Sequence, residues 1–207
     1  MIAILIPCFS LANIIIYGVS YMTKRPLFYC GGVECDMQEA CDSGIYTVQY
    51  DNNLKNLTGK LKLECISDTA MGFIGSCYFI GFMAGALFIP RLADIFGRRW
   101  IIIAGLLCNV VGVILVVFAN SLSFIYAAMI ILGLQSPATM QVSFVMITEI
   151  VGTKYRAFYS TLILSINAFL NLFNPAYYYL AKDFMPLMYA TLALGGVLLL
   201  FSLCILS

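Results

Sequence analysis

Residues 90–99 read Pro90-Arg91-Leu92-Ala93-Asp94-Ile95-Phe96-Gly97-Arg98-Arg99. This charged block lies between two long apolar runs. Charges so close to a bilayer face serve orientation or function. An acid, a glycine three residues on and then two arginines also form the pattern of a tight turn. Such a turn holds a carboxylate against guanidinium groups.

Outward from this block the chain is apolar. It is 62% hydrophobic and 10% charged, with mean hydropathy +0.97. Soluble domains carry about a quarter charged residues. Twelve of the 21 charged side chains lie between Lys24 and Asp68, and only nine lie from Thr69 to Ser207. That second stretch reads as membrane spans of about 20 residues each. Six can be drawn: Ile2–Tyr21, Met71–Ile89, Trp100–Ala119, Phe124–Thr148, Ala157–Leu180 and Pro186–Leu206. The expected fold is an all-α bundle of six transmembrane helices. It divides into a first helix (1–21), a polar outer loop (22–69) and five further helices (70–207). The first span lacks a basic leader and a small-residue cleavage site, so it reads as a retained helix, not a signal peptide.

Loop charges set the orientation. Arg91, Arg98 and Arg99 follow the second span, and Lys154 and Arg156 follow the fourth. The positive-inside rule puts both loops in the cytoplasm or its equivalent, and residues 22–69 on the opposite side. That outer loop holds Cys30, Cys35, Cys41 and Cys65 and the sequon Asn56-Leu57-Thr58. Four cysteines beside a glycosylation candidate point to an oxidising compartment and up to two disulfides, with three connectivities open. Zinc is the rival, although the spacings are not those of a zinc ribbon and the chain has no histidine. Free thiols, as in a mitochondrial membrane, are the third reading.

Three features together resemble the major facilitator superfamily. Asp94, Gly97, Arg98 and Arg99 match the core of its loop between the second and third helices, roughly G-x-x-x-D-R/K-x-G-R-R/K. Pro90 replaces the leading glycine and Ile95 the usual basic residue. The segment Met146-Ile147-Thr148-Glu149-Ile150-Val151-Gly152-Thr153-Lys154-Tyr155-Arg156-Ala157-Phe158 is similar to the end of the fourth helix in the organic-ion and sugar branches. The cysteine-bearing loop is similar to that of the organic cation branch. The resemblance implies one six-helix half of a transporter, the amino-terminal one, in a fold where two such halves flank a central site. Asp94, Gly97, Arg98, Arg99, Glu149 and Arg156 on the inner face read either as a gate, whose ion pairs form in one state and break in the other, or as topology-setting charges with solvated ion pairs worth about 0–1 kcal/mol each.

Polar residues within the spans recur at helical spacing. Ser10, Asn13 and Tyr17 do so in the first span, Gln135, Thr139 and Ser143 in the fourth, and Asn167, Asn171 and Asn174 in the fifth. Each amide needs a partner and cannot face lipid cheaply. These stripes form either a hydrogen-bonding wall for solute or glue between helices, worth about 0.6 kcal/mol per bond. The solute-wall reading takes Ser10, Asn13, Tyr17, Gln135, Thr139, Asn167, Asn171 and Asn174, and expects Asn13, Gln135 and Asn171 on one concave surface. Gly81 and Gly85, like Gly105 and Gly112, read as close helix packing. The expected function is facilitator-type transport of a small organic solute by alternating access with a second half. The alternative is a half-transporter kept as a structural subunit of a larger membrane assembly, with the mitochondrial inner membrane as one setting. A plasma or endomembrane is the favoured location. Net charge +1 points away from a nucleic-acid partner. No nucleophile–base pair, metal cluster or phosphate loop is apparent, so neither an enzyme nor a metal or other cofactor is expected.

Overall fold

A glycine every few residues on one helix, aligned with a glycine on its neighbour, lets two backbones touch. This contact organises the molecule, seen in a computed structural model. The structure describes residues 2–25, 27–30, 33–44, 47–49 and 55–206. Six long helices are each apolar and long enough to cross a membrane: α1 (Ile2–Met22), α4 (Asp68–Phe96), α5 (Arg98–Val117), α6 (Leu122–Ile150), α7 (Arg156–Ala181) and α8 (Met185–Leu206). Twenty residues of helix span about 30 Å, the thickness of the hydrocarbon core.

Helix α6 is the hub, packed against α1, α4, α5 and α7. A Cβ at Gly133 would collide with the Tyr78 carbonyl, and one at Gly81 with the Ile130 carbonyl. At Gly85 it would lie 2.6 Å from the Leu134 oxygen. On the other flank, a Cβ at Gly105 would lie 2.7 Å from the Ala138 methyl, and one at Gly112 would lie 2.6 Å from Leu132. The small residues do serve packing. Lipid tails are as apolar as leucine, so close van der Waals contact must hold such helices together.

The second helix runs seven residues beyond the expected end of its span. It passes through Pro90 and stops at Phe96, leaving Gly97 alone between α4 and α5. Hydropathy marks where lipid ends, not where a helix ends, and Arg91 and Asp94 are tolerated on a helical turn in water. Gly97 has φ +90°, a conformation that favours glycine.

The loop is more structured than its composition implied. β1 (Leu27–Cys30), β2 (Val33–Cys35) and β3 (Thr47–Gln49) form an antiparallel sheet in the order β2-β1-β3. The short helices α2 (Met37–Ser43) and α3 (Leu57–Lys60) complete the lobe. All four loop cysteines are paired. Cys30–Cys35 closes the β1–β2 hairpin, and Cys41–Cys65 joins α2 to the segment before α4. Their Cα separations of 5.8 and 5.7 Å are ordinary for disulfides. The zinc and free-thiol readings therefore fall away. The lobe also defines two ends of the bundle, a lobe end and, beyond the membrane, a motif end at Gly97.

Candidate functional site

Two apolar clusters fill the bundle. One, at the lobe end, includes Ile14, Ile74, Val113, Met129 and Leu132. The other, at the motif end, includes Leu5, Leu106, Val142, Ile163 and Leu198. Between them lies a buried polar layer with Asn13 on α1, Asn109 on α5 and Gln135, Ser136 and Thr139 on α6. Within it the Thr139 hydroxyl donates to Gln135 Oε1 at 3.1 Å, and Asn13 Nδ2 donates to the Phe9 carbonyl at 3.0 Å. The Tyr78 and Ser136 hydroxyls meet at 2.7 Å.

Five of the eight expected solute-facing residues are sealed inside this bundle: Ser10, Asn13, Gln135, Thr139 and Asn174. Ser10 donates to the Ile6 carbonyl at 3.0 Å. Asn167 and Asn171 are half-buried, and Tyr17 is 44% exposed. Asn13, Gln135 and Asn171 thus do not share an open concave surface. The α7 stripe faces α1 instead. Asn174 Nδ2 donates to the Ile14 carbonyl at 3.4 Å, and Tyr178 packs on Gly18 and stacks on Tyr21 with centroids 4.8 Å apart. The contacts at Ile14 and Gly18 share one numbering offset, which puts Asn171 level with Leu11. An amide stripe offsets its desolvation most simply against a neighbouring helix, and α1 is that neighbour.

Asn109 is the residue that stripe-reading misses. It is fully buried, and neither carboxamide atom has a hydrogen-bond partner among the described residues. Gly105 meets Ala138 and Gly112 meets Leu132, so Asn109 lies level with Gln135. A Cβ on Gly195 would sit 3.0 Å from Asn109 Oδ1, which leaves a glycine's width for the amide against α8. Asn109 has no polar neighbour at helical spacing within its span; its flanking glycines at 105 and 112 were the available signal.

The motif end carries the charges. Asp94 is on the last turn of α4, Arg98 and Arg99 on the first turn of α5, Glu149 on the last turn of α6, and Arg156 opens α7. Arg98 joins three helices. It forms an ion pair with Glu149, and its Nη2 lies 3.7 Å from Asp94 Oδ1. Arg98 is 26% exposed, against 71% for Asp94 and 55% for Glu149. Arg156 Nε donates to the Thr148 carbonyl at 3.1 Å, tying α7 to α6. Arg99 lies over the Trp100 ring, 5.5 Å from its centroid. Each of Asp94, Glu149, Arg98 and Arg99 occupies the helix end that its own macrodipole disfavours, by about 0.3–1 kcal/mol each. Local helix stability therefore does not explain these charges; for Asp94, Arg98 and Glu149 the structure shows contact between helices instead. A pocket of about 220 Å³ opens beside them, lined by Pro90, Asp94, Arg98 and Gln141.

The glycosylation candidate is buried. Asn56 is 2% exposed. Its Oδ1 caps α3 by accepting from the Gly59 amide at 3.1 Å, and its Nδ2 donates to the Lys24 carbonyl. That leaves no room for a glycan in the folded lobe. Among the described residues, no three His, Cys, Asp or Glu side chains cluster to hold a metal.

Comparison with known proteins agrees with this architecture. The chain is 28% identical over 107 residues to Solute carrier family 22 member 2 of Mus musculus, covering 52% of this chain and 19% of that protein. It is 26% identical over 162 residues to Organic cation/carnitine transporter 2 of Homo sapiens, covering 78% of this chain and 29% of that protein. It is 28% identical over 107 residues to Solute carrier family 22 member 1 of Oryctolagus cuniculus, covering 52% and 19%. The aligned stretches thus cover less than a third of these relatives' lengths. The model of the Major Facilitator Superfamily matches residues 3–207, and with six membrane-spanning helices and the Asp94–Arg98 corner in place, this multi-pass membrane chain belongs to that family of transporters.

Proposed function

We propose that this bundle moves a small organic cation across the membrane by alternating access against a second six-helix bundle. The observation that carries the reading is Arg98 shared between Asp94 and Glu149. One guanidinium clasps the motif ends of α4, α5 and α6. Exposed ion pairs of this kind are worth about 0–1 kcal/mol each. That strength suits a contact that must form in one state and break in the other, because a gate needs differential stabilisation and not great strength. The second bundle would lie against α7, whose buried residues, among those described, are limited to Ile163, Asn174 and Tyr178. Tyr17, exposed on α1, and the groove between α1 and α4 past Ser20 and Gly75 would offer the solute a surface.

Two features support a cationic solute. The similar proteins include an organic cation/carnitine transporter. Residues 27–54 carry Glu34, Asp36, Glu39, Asp42 and Asp51 and no lysine or arginine. A lobe of one charge sign raises the local concentration of the opposite ion. In this reading the lobe faces away from the cytoplasm in a plasma or endomembrane, and two disulfides support that placement.

The test is uptake of a radiolabelled tetraalkylammonium ion into proteoliposomes holding this chain together with a second six-helix bundle. Saturable uptake that a second organic cation competes away is expected. Correctly folded protein with no competable flux would favour the structural-subunit reading.

A further inference from the structure

The lobe consists of two unlike parts. The sheet and α2 pack chiefly on each other. Residues 55–68 instead run across the ends of the membrane helices and bond to them one after another. Asn56 Nδ2 donates to the Lys24 carbonyl just past α1. Arg25, also past α1, returns a bond to the Ile66 carbonyl at 2.9 Å and an ion pair to Asp68 at the start of α4 at 2.8 Å. Lys60 Nζ donates to the Val117 carbonyl at the end of α5. Lys55 joins the turn between α7 and α8 by two backbone bonds. Its amide donates to the Lys182 carbonyl at 2.8 Å, and its carbonyl accepts from the Phe184 amide at 3.2 Å. Beneath these bonds Leu57 is buried in the same cluster as Met22, Val117 and Phe184.

We propose that residues 55–68 are a strap that locks the lobe ends of α1, α4, α5 and the α7–α8 turn into one rigid plate, with Asn56 as its keystone and not a glycan acceptor. Connectivity makes the strap a lock. Helix ends leave carbonyls without partners. The Val117 carbonyl, at the end of α5, accepts from Lys60, and the Lys24 carbonyl just past α1 accepts from Asn56. A helix end cannot move away without losing its bond, and the strap cannot lift without losing several at once. Asn56 couples the parts, because one carboxamide both shapes α3 and holds α1. The strap stands independently of any reading of solute or transport.

Hydrogen exchange of the full chain in nanodiscs tests it. Asn56→Asp keeps the acceptor that caps α3 but removes the donor to Lys24. Lys60→Met removes the bond to α5. Each variant should raise exchange at the far sites as well as the near one, in residues 20–25, 115–119 and 182–186 together. The expected change is about five-fold, the size of one lost hydrogen bond, with residues 94–100 unchanged. Faster exchange confined to residues 55–66 would overturn the strap. A second measurement needs no destabilising variant. In cells that glycosylate, Asn56 should stay bare, while a control sequon created by Ile45→Asn ahead of Thr47 is modified. A glycan on Asn56 of the natural chain would overturn the proposal outright.

Discussion

The two ends of the bundle are fastened by different chemistry. At the lobe end the fasteners include backbone carbonyls met by Asn56, Lys60 and Arg25, and a disulfide at Cys65. At the motif end they are exposed ion pairs around Arg98 and a single bond from Arg156. Partly buried bonds to backbone carbonyls hold with little regard to salt, whereas solvated ion pairs are weak and screened. Under the transport reading, the contrast suits one end that stays closed up and another that comes apart. Between them α4 and α6 pack backbone to backbone and form a spine.

The spine is where the comparison breaks most severely. Gly133→Leu forces a side chain into the Tyr78 carbonyl, a backbone atom that cannot step aside. The loss is expected at about 3 kcal/mol or more, at the upper end for overpacking. Thermal unfolding in detergent should drop further than for Cys65→Ser, Arg98→Ala or Lys60→Met, with both ends loosening together. If Gly133→Leu melts like the natural chain, the spine is not tight.

The lobe end comes next. Cys65→Ser opens the Cys41–Cys65 link and should cost about 2–4 kcal/mol. Ion pairing at Arg98 should be unaffected, so the salt dependence of unfolding stays as in the natural chain. A change in that salt dependence would mean that the two ends communicate.

The six spans were legible in sequence, because a lipid environment leaves a long apolar run no other fate. The meeting of Asp94 with Arg98 followed from the spacing within residues 90–99; that Glu149 joins them is a tertiary contact seen only in the fold. The end of α4 was not legible: Ile89 closes the apolar run, but Phe96 closes the helix. Nor was the sheet, whose three- and four-residue strands are too short for alternation to register. The burial of Asn56 was hidden for a different reason. A sequon is a local pattern, and its burial depends on Lys24, 32 residues away. Asn109 went unread because a stripe needs recurrence, and a single amide has none.

Arg98→Ala is expected to have a smaller effect on stability, at most about 1 kcal/mol. Its signature is qualitative. Unfolding of the natural chain should shift with ionic strength, and that of the variant should shift less. Under the transport reading, uptake should fall although the protein remains folded. Arg98→Lys should restore only part of it, since an ammonium lacks the fork that reaches two carboxylates. A large stability loss in Arg98→Ala would place the motif end alongside the lobe end and erase the comparison.

The smallest effect distinguishes the ends by pH. Burial of part of Lys60 pulls its ammonium below the usual lysine value. The unfolded chain then holds this proton to higher pH than the folded chain does. Between the lowered value and the usual 10.5, unfolding takes up protons, so stability attributable to Lys60 rises as pH rises through that window. Well below the folded value both states are protonated and the slope vanishes. Lys60 is largely exposed, so the slope should be slight. Lys60→Met should abolish it while also lowering stability at every pH through loss of the bond to Val117. Melts of both proteins across the alkaline range give the difference directly. An unchanged slope in Lys60→Met would mean that another group titrates there.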